Sequence, residues 1–155
     1  MTGSIFMMSS WLIDTNVLIY SYDKEQSLHL QSYHFIEQAF AGEVRGTIAQ
    51  QNLLEFLAVV TNPKRVEYPL SLEDALQKIT LYVASFPVIC PSAKTLFTFA
   101  GLVSKYPAMR EHIFDLYLAA TALDNGINRI CTWNVKHFRK LSEVEVRTPG
   151  EILKG

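Results

Sequence analysis

The fold of this chain is decided by the stretch Trp11-Leu12-Ile13-Asp14-Thr15-Asn16-Val17-Leu18-Ile19-Tyr20 near its amino terminus. The first three residues are apolar, and such a short run bounded by polar residues is typical of a buried strand. Asp14, Thr15 and Asn16 follow, and each of these side chains can cap a helix that opens at Val17. A buried strand that leads through a polar turn into a helix is typical of α/β proteins.

The rest of the chain repeats this alternation. Further strands are predicted over residues 46–49, 86–90, 129–132 and 144–147. Helices are predicted over residues 27–41, 50–60, 70–85, 93–105 and 111–123, with a short last helix from Pro149. The alternation favours a mostly parallel sheet of about five strands with helices on both faces. Ligands bind such sheets beyond the carboxyl ends of the strands, so residues that follow strands are the first functional candidates.

Composition limits the classes of protein. The chain has 155 residues, 14 Lys and Arg against 15 Asp and Glu, and a formal net charge of −1. Its 49% hydrophobic and 19% charged residues exclude intrinsic disorder. A near-neutral domain does not bind nucleic acid by bulk electrostatics alone. No repeat or linker divides the chain, so we expect one domain over residues 11–155 after a loose extension over residues 1–10, with Met7 or Met8 as the natural start.

Cellular location is also indicated by the sequence. Cys90 and Cys131 each lie in a short apolar run, which predicts two buried thiols in a reduced protein. No apolar stretch approaches the roughly 18 residues of a membrane span, and no basic residue precedes the apolar segment near the amino terminus. We therefore expect a cytoplasmic protein without a membrane partner.

A phosphate-binding loop of the GxxxxGK type is absent, which argues against the use of nucleoside triphosphates.

Three acidic residues stand apart from those in polar loops. Asp14 closes the first strand, while Glu55 and Asp115 lie in strongly apolar helical segments, where an unpaired carboxylate is costly to desolvate. Each also has a structural explanation. Asp14 can serve as a helix cap, Glu55 can lie on a narrow solvent stripe or in a salt bridge, and Asp115 can interact with a helix dipole in an N-terminal turn. If the three converge, their oxygen ligands suit Mg²⁺ or Mn²⁺ and hence phosphoryl chemistry.

Four segments, in order, resemble the motifs of PIN-domain ribonucleases, especially the VapC-type toxins of toxin–antitoxin pairs. They are residues 12–19 (LIDTNVLI), 52–56 (NLLEF), 114–122 (FDLYLAATA) and 132–138 (TWNVKHF). The resemblance implies a PIN-like three-layer α/β/α sandwich and hydrolysis of RNA phosphodiester bonds by a metal-activated water. It also implies a cognate antitoxin as partner and a homodimer or higher oligomer.

The resemblance also implies roles for individual residues. Asp14, Glu55 and Asp115 would bind Mg²⁺ or Mn²⁺, and Asn134 would complete the catalytic set. Supporting polar roles fall to Thr15, Asn16 and Thr132. The RNA-binding candidates form a basic cluster after the fourth motif, Lys136, His137, Arg139 and Lys140. Further candidates for RNA contact are Lys64, Arg65, Lys105 and Arg110, although for any single pair of these charges a solvated surface is the favoured explanation.

The fourth motif departs from the family pattern. Asn134 stands where many relatives carry Asp, and His137 stands where many carry Asp before Phe. Asn adds no negative charge, and His can hydrogen-bond phosphate or be structural. We therefore hypothesise one well-held metal ion and a second that arrives with the substrate.

Two other functions stay open at the level of sequence. A catalytically degenerate PIN domain would bind RNA or a protein without turnover, and the two departures in the fourth motif support it. A phosphatase with Asp14 as nucleophile, as in the haloacid-dehalogenase-like enzymes, would carry a second Asp two residues later. Asn16 occupies that position and counts against this alternative.

Overall fold

The computed structural model describes residues 9–155. Most of the predicted loose extension over residues 1–10, including both candidate start positions, lies outside the described residues. Of the two residues of that segment that are described, Ser10 is buried and the Ser9 hydroxyl accepts a hydrogen bond from Arg45.

Strands and helices alternate along the described chain as expected. The strands are β1 (Trp11–Ile13), β2 (Gly46–Ala49), β3 (Val88–Ile89), β4 (Arg129–Cys131) and β5 (Glu145–Arg147). The α-helices are α1 (Thr15–Tyr22), α2 (His29–Phe40), α3 (Gln50–Val60), α4 (Leu72–Ser85), α5 (Thr95–Lys105), α6 (Ile113–Asp124), α7 (Val135–Phe138) and α8 (Pro149–Leu153). A 3₁₀ helix, Pro107–His112, leads directly into α6. No described helix is long and apolar enough to cross a membrane.

The five strands form one sheet in the order β3-β2-β1-β4-β5. Every pairing is parallel, with Leu12 opposite Thr47 on one side of β1 and Ile13 opposite Cys131 on the other. The chain thus builds outward from β1 to β3, and later returns to the other side of β1 with β4 and β5. The order of the strands therefore switches between β1 and β4, and their carboxyl ends open on one crevice.

Helices cover both faces of the sheet, which confirms the predicted three-layer α/β/α sandwich. Side chains alternate along β1, so that Trp11 and Ile13 pack into the core beneath α1 to α4. Leu12 points to the opposite face, where α5, α6 and α7 contribute the second core. Because both faces of the sheet are covered by a buried core, polar side chains can reach solvent near the sheet only at the ends of the strands.

The local structure differs from the sequence expectations at one cysteine and at the start of one helix. Cys131 is buried, and burial raises the pKa of its thiol well above the ordinary value, but Cys90 is exposed because β3 ends at Ile89. The helix predicted from residue 111 begins only at Ile113, because the preceding residues form the 3₁₀ helix. Asp115 therefore lies in the first turn of α6, where its carboxylate also faces the positive end of the helix dipole.

Candidate active site

Asp14 lies at the switch point of the sheet, directly after β1. Its extended backbone (φ −71°, ψ 155°) ends the strand, and its side chain caps α1 by accepting a hydrogen bond from the Thr15 backbone N–H at 2.8 Å. The second carboxylate oxygen accepts a hydrogen bond from the Thr132 hydroxyl, also at 2.8 Å, across the end of β4. Asp14 is thus a helix cap and also a buried carboxylate at the crevice, so the two interpretations coexist.

Asn16 and Thr132 join the start of α1 to the loop after β4. The Asn16 amide donates to the Thr132 hydroxyl at 3.2 Å, and its oxygen accepts from the Trp133 backbone N–H at 3.1 Å. The Thr132 hydroxyl in turn accepts from the Asn134 backbone N–H at 3.0 Å. These contacts hold the loop that carries Asn134 against Asp14, which is consistent with the supporting roles expected for both residues.

Glu55 reaches the same crevice from α3. Its carboxylate accepts hydrogen bonds from the Thr15 hydroxyl at 2.7 Å and from the Gln51 amide at 2.8 Å. Gln51 lies one turn before Glu55, so the two side chains share a face of the helix. Among the described residues Glu55 takes part in no ion pair, and the side chain is half-buried. Neutral hydrogen bonds therefore compensate its desolvation, and the alternative of a salt bridge is not realised among the described residues.

Asn52 is a site residue whose role sequence analysis missed. It is fully buried, its amide oxygen accepts from the Ala49 backbone N–H at 3.1 Å, and its amide nitrogen donates to the Thr15 hydroxyl at 3.1 Å. Ala49 has no polar side chain to cap α3, but the third residue of the helix accepts the Ala49 backbone N–H and so supplies the other half of a capping box. The sequence did contain a signal for this role, because Asn52 is the third residue of a helix that directly follows an apolar strand.

Asp115 brings two imidazoles to the crevice. Its Oδ2 lies 3.3 Å from His137 Nδ1 and 4.0 Å from His112 Nδ1. The two rings stack, with centroids 3.9 Å apart and planes inclined by 29°. His137 was expected to contact RNA, and the structure places it on Asp115. His112 was not singled out, although its position three residues before Asp115 places both at one helical face.

The four predicted catalytic residues line one cleft of about 350 Å³. The lining consists of Asp14, Thr15, Asn16, Ile19, Glu55, Ala58, Val59, Arg65, Asp115 and Asn134. Residues separated by 120 positions of sequence, Asp14 and Asn134, thus meet at the carboxyl edge of the sheet. The basic side chain of this lining is Arg65, which sequence analysis had ranked below the cluster after the fourth motif.

The members of that basic cluster point to different partners. Arg139 forms an ion pair with Glu151 at 3.1 Å, and His137 contacts Asp115. Lys136 and Lys140 are exposed. The four side chains therefore do not act as one patch, although each stays a candidate for RNA contact.

Two carboxylates of the cleft, those of Asp14 and Asp115, have raised pKa values, which means that their ionised forms are disfavoured. The pKa of Asp14 is raised to about 6, chiefly by burial and in smaller part by the charges of Asp115 and Glu55, while the hydrogen bonds from Thr132 and Thr15 oppose the shift. Burial likewise raises the pKa of Asp115, with His137 opposing. One buried and two half-buried carboxylates that line one cleft match the preference of a hard divalent cation, which would relieve their repulsion.

Comparisons with known proteins agree with this geometry. The model of the PIN domain family matches residues 11–144. A VapC ribonuclease of Mycobacterium bovis and ribonuclease VapC43 of Mycobacterium tuberculosis are each 28% identical over 123 residues, which cover 78% of this chain and 81% of the relative.

Solved structures share the fold at lower identity. VapBC2 from Rickettsia felis, bound to a DNA fragment from its promoter, has a TM-score of 0.64 and 19% identity, covering 90% of this chain and 98% of that one. VapBC-1 from nontypeable Haemophilus influenzae has a TM-score of 0.65 and 15% identity, covering 91% and 98%. These two likenesses establish the same chain topology.

Proposed function

This chain belongs to the PIN domain family, and we propose that it is a divalent-metal-dependent endoribonuclease that acts as the toxin of a toxin–antitoxin pair. The observation that carries this proposal is the convergence of Asp14, Glu55 and Asp115 on one cleft at the switch point of the sheet. The ribonuclease activity named for the VapC relatives supports the choice of RNA as substrate.

Mg²⁺ or Mn²⁺ is the ion that this cleft fits. Asp14, Glu55 and Asp115 would hold it through carboxylate oxygens, the ligands that both ions prefer. When bound, such an ion activates water for attack on a phosphodiester and neutralises the negative charge that develops there. Because Asn134 replaces an acidic residue of the family pattern, the lining keeps three carboxylates. Our hypothesis is still that the cleft binds one ion tightly and that a second ion arrives with the RNA.

The other side chains of the cleft orient these ligands and the substrate. Thr15 and Gln51 fix both oxygens of Glu55, and Thr132 fixes one oxygen of Asp14. Asn134 lines the cleft and is exposed, so its amide can bind water or a phosphate oxygen. Arg65 can place the phosphodiester by charge-assisted hydrogen bonds.

The residue two positions after Asp14 disfavours the phosphatase alternative. Asn16 stands where that mechanism needs a second Asp, and its side chain donates a hydrogen bond to Thr132 instead of supplying a carboxylate.

An antitoxin protein is the partner we propose. The two solved structures above are named VapBC2 and VapBC-1, and a third of the same fold, with a TM-score of 0.62 and 20% identity, is a toxin–antitoxin complex from Klebsiella pneumoniae, which supports such a partner here. Beside the cleft, Leu54 and Phe114 are 69% and 74% exposed, and such apolar groups are typical of protein-binding surfaces. We also propose a homodimer or higher oligomer and a cytoplasmic location, as the family resemblance implies.

Cleavage of RNA by the purified protein tests the proposed activity. We expect Mg²⁺- or Mn²⁺-dependent cleavage that chelation abolishes. Asp14→Asn and Asp115→Asn should each fold and lose at least about 100-fold in rate, because each removes a charged ligand from the cleft.

Asp124→Asn is the matched control for these variants. Asp124 lies at the other end of α6, is exposed, and accepts a hydrogen bond from Thr98 that an amide oxygen can also accept. This control should cleave at the wild-type rate. Full activity of Asp14→Asn and Asp115→Asn would contradict the proposal, and RNA binding without any metal-dependent turnover would favour the degenerate domain.

A further inference from the structure

We propose that His112, Asp115 and His137 form a binding site for Zn²⁺ at the rim of the carboxylate cleft. Among the described residues, one ligand atom from each of these three side chains lies within 4.8 Å of the other two. The site shares Asp115 with the proposed catalytic cleft, but it has a different donor set and does not depend on ribonuclease activity.

The donor set selects the ion. Two imidazole nitrogens and one carboxylate oxygen, with an open fourth position, form a ligand set typical of zinc sites in proteins. Mg²⁺ prefers oxygen ligands and keeps much of its water, so it has little affinity for imidazole. The carboxylate cleft and the histidine cluster should therefore prefer different ions, although they meet at one residue.

The backbone around the cluster is already arranged for binding. His112 ends the 3₁₀ helix, Asp115 lies in the first turn of α6, and His137 lies in α7. The neighbours Leu116 and Phe138 are fully buried and anchor two of these elements in the core. The Cα positions of Asp115 and His137 are therefore set by core packing and not by the cluster itself.

Only the side chains need to move for an ion to bind. His137 Nδ1 and Asp115 Oδ2 are 3.3 Å apart, close to the roughly 3.4 Å expected between two ligands of a tetrahedral ion with bonds near 2.0–2.1 Å. His112 Nδ1 is farther from that oxygen, at 4.0 Å. The side chains of His112, Asp115 and His137 are 34%, 27% and 35% exposed, so solvent and ions reach them and the rings can rotate.

Zinc binding to the full-length, metal-free protein tests the proposal. The exposed thiol of Cys90 can also bind zinc, so all measurements use a Cys90→Ser background. We expect calorimetry to detect one Zn²⁺ site at least about tenfold tighter than any Mg²⁺ site, and His112→Gln and His137→Gln to weaken it by about 10- to 100-fold each. Co²⁺ should give the visible absorption of a low-coordinate nitrogen and oxygen site, and both variants should lose it.

His34→Gln is the matched control. His34 is exposed on α2 and lies outside the cluster, so its loss should leave zinc affinity and the Co²⁺ spectrum unchanged. Imidazole NMR signals of the unsubstituted histidines provide a measurement that does not depend on the folding of variants. Zn²⁺ should shift the signals of His112 and His137, and leave those of His29 and His34 in place.

Three results would overturn the proposal. They are zinc affinity that neither histidine variant changes, zinc affinity that only Asp14→Asn reduces, and NMR shifts confined to other histidines. None of these results concerns Mg²⁺-dependent cleavage. Conversely, loss of the proposed ribonuclease function would leave the zinc affinity and the Co²⁺ spectrum as expected.

Discussion

Asp14 is the residue at which stability and the proposed function conflict. Its carboxylate is buried among neighbours of the same charge, and its pKa is about 6. An ionised Asp14 therefore destabilises the metal-free fold, while the same ionised group is the ligand that a cation needs. Residues that bind metal in a buried cleft commonly carry this kind of strain, because the site is organised for the occupied state.

Stability of the metal-free protein should consequently fall as pH rises. The folded pKa of Asp14, about 6, lies above the value of 3.8 expected in the unfolded chain, so between these pH values the folded state holds the extra proton. The contribution of Asp14 to the free energy of unfolding is then largest below pH 4, decreases through this window, and is lower by about 3 kcal/mol above pH 6. Urea unfolding in chelator at pH 4 and pH 7.5 measures the difference.

Two comparisons isolate the contribution of Asp14. Asp14→Asn should abolish most of this pH dependence, and Asp124→Asn should retain it. Saturating Mg²⁺ should restore stability at pH 7.5, because a ligand that binds only the folded state stabilises it by mass action. Equal pH dependence in wild type and Asp14→Asn would show that the Asp14 carboxyl does not titrate in this window.

At the scale of elements, the sequence predicted the structure best where a run of apolar residues ends at a clear polar or proline boundary. The bounds of α3 were predicted from a continuous apolar helix followed by Asn62-Pro63, and β1 from three apolar residues ending at Asp14. The four-residue α7 and the 3₁₀ helix were missed, since neither is long enough to show a hydrophobic period.

The candidate site was predictable only in part, for a related reason. Asp14, Glu55 and Asp115 were recognisable because each is an acid in an apolar context. The contacts of Asn52 and His112 depend on how α3 and the 3₁₀ helix are placed by the sheet and the core. Tertiary placement also explains why Arg65 lines the cleft while Arg139, nearer the fourth motif in sequence, is paired with Glu151.

The stability of the junction between the ends of β1 and β4 should depend on the hydroxyl of Thr132. Thr132→Val keeps the shape of the side chain but removes the donor to Asp14 and the acceptor for Asn16 and Asn134. We expect a loss of about 1–3 kcal/mol in the free energy of unfolding, together with weaker Mg²⁺ binding, because the hydrogen bond that favours ionised Asp14 is gone.

Thr47→Val is the matched control for Thr132→Val. Thr47 is a fully buried threonine of the same sheet, and its hydroxyl is buried without a hydrogen-bond partner among the described residues. Removing it should leave stability unchanged or raise it by up to about 1 kcal/mol, with Mg²⁺ affinity intact. Urea unfolding and metal titration compare the two variants, and equal losses would contradict the role assigned to the Thr132 hydroxyl.

For the whole molecule, the net charge of −1 conceals an uneven distribution of acidic and basic side chains. Several basic side chains are neutralised locally, as in the pairs Lys105–Glu143, Arg129–Glu145 and Arg139–Glu151. Three carboxylates meanwhile converge on the cleft, where they would repel RNA. Two divalent ions would more than neutralise them, so the approach of RNA should depend on metal and on a few basic groups rather than on a broad basic surface.

Arg65 should therefore contribute more to RNA cleavage than its neighbour in sequence, Lys64. Arg65 lines the cleft, whereas Lys64 is exposed beside it and does not belong to the lining. For a single-stranded RNA in Mg²⁺, Arg65→Gln should lower kcat/KM by about tenfold and reduce the slope of log(kcat/KM) against log[salt] by about 0.7, which corresponds to one phosphate contact. Lys64→Gln removes the same charge and should change both quantities much less. Equal effects of the two substitutions would mean that Arg65 acts only through long-range charge, and that the phosphodiester is positioned by other groups of the cleft.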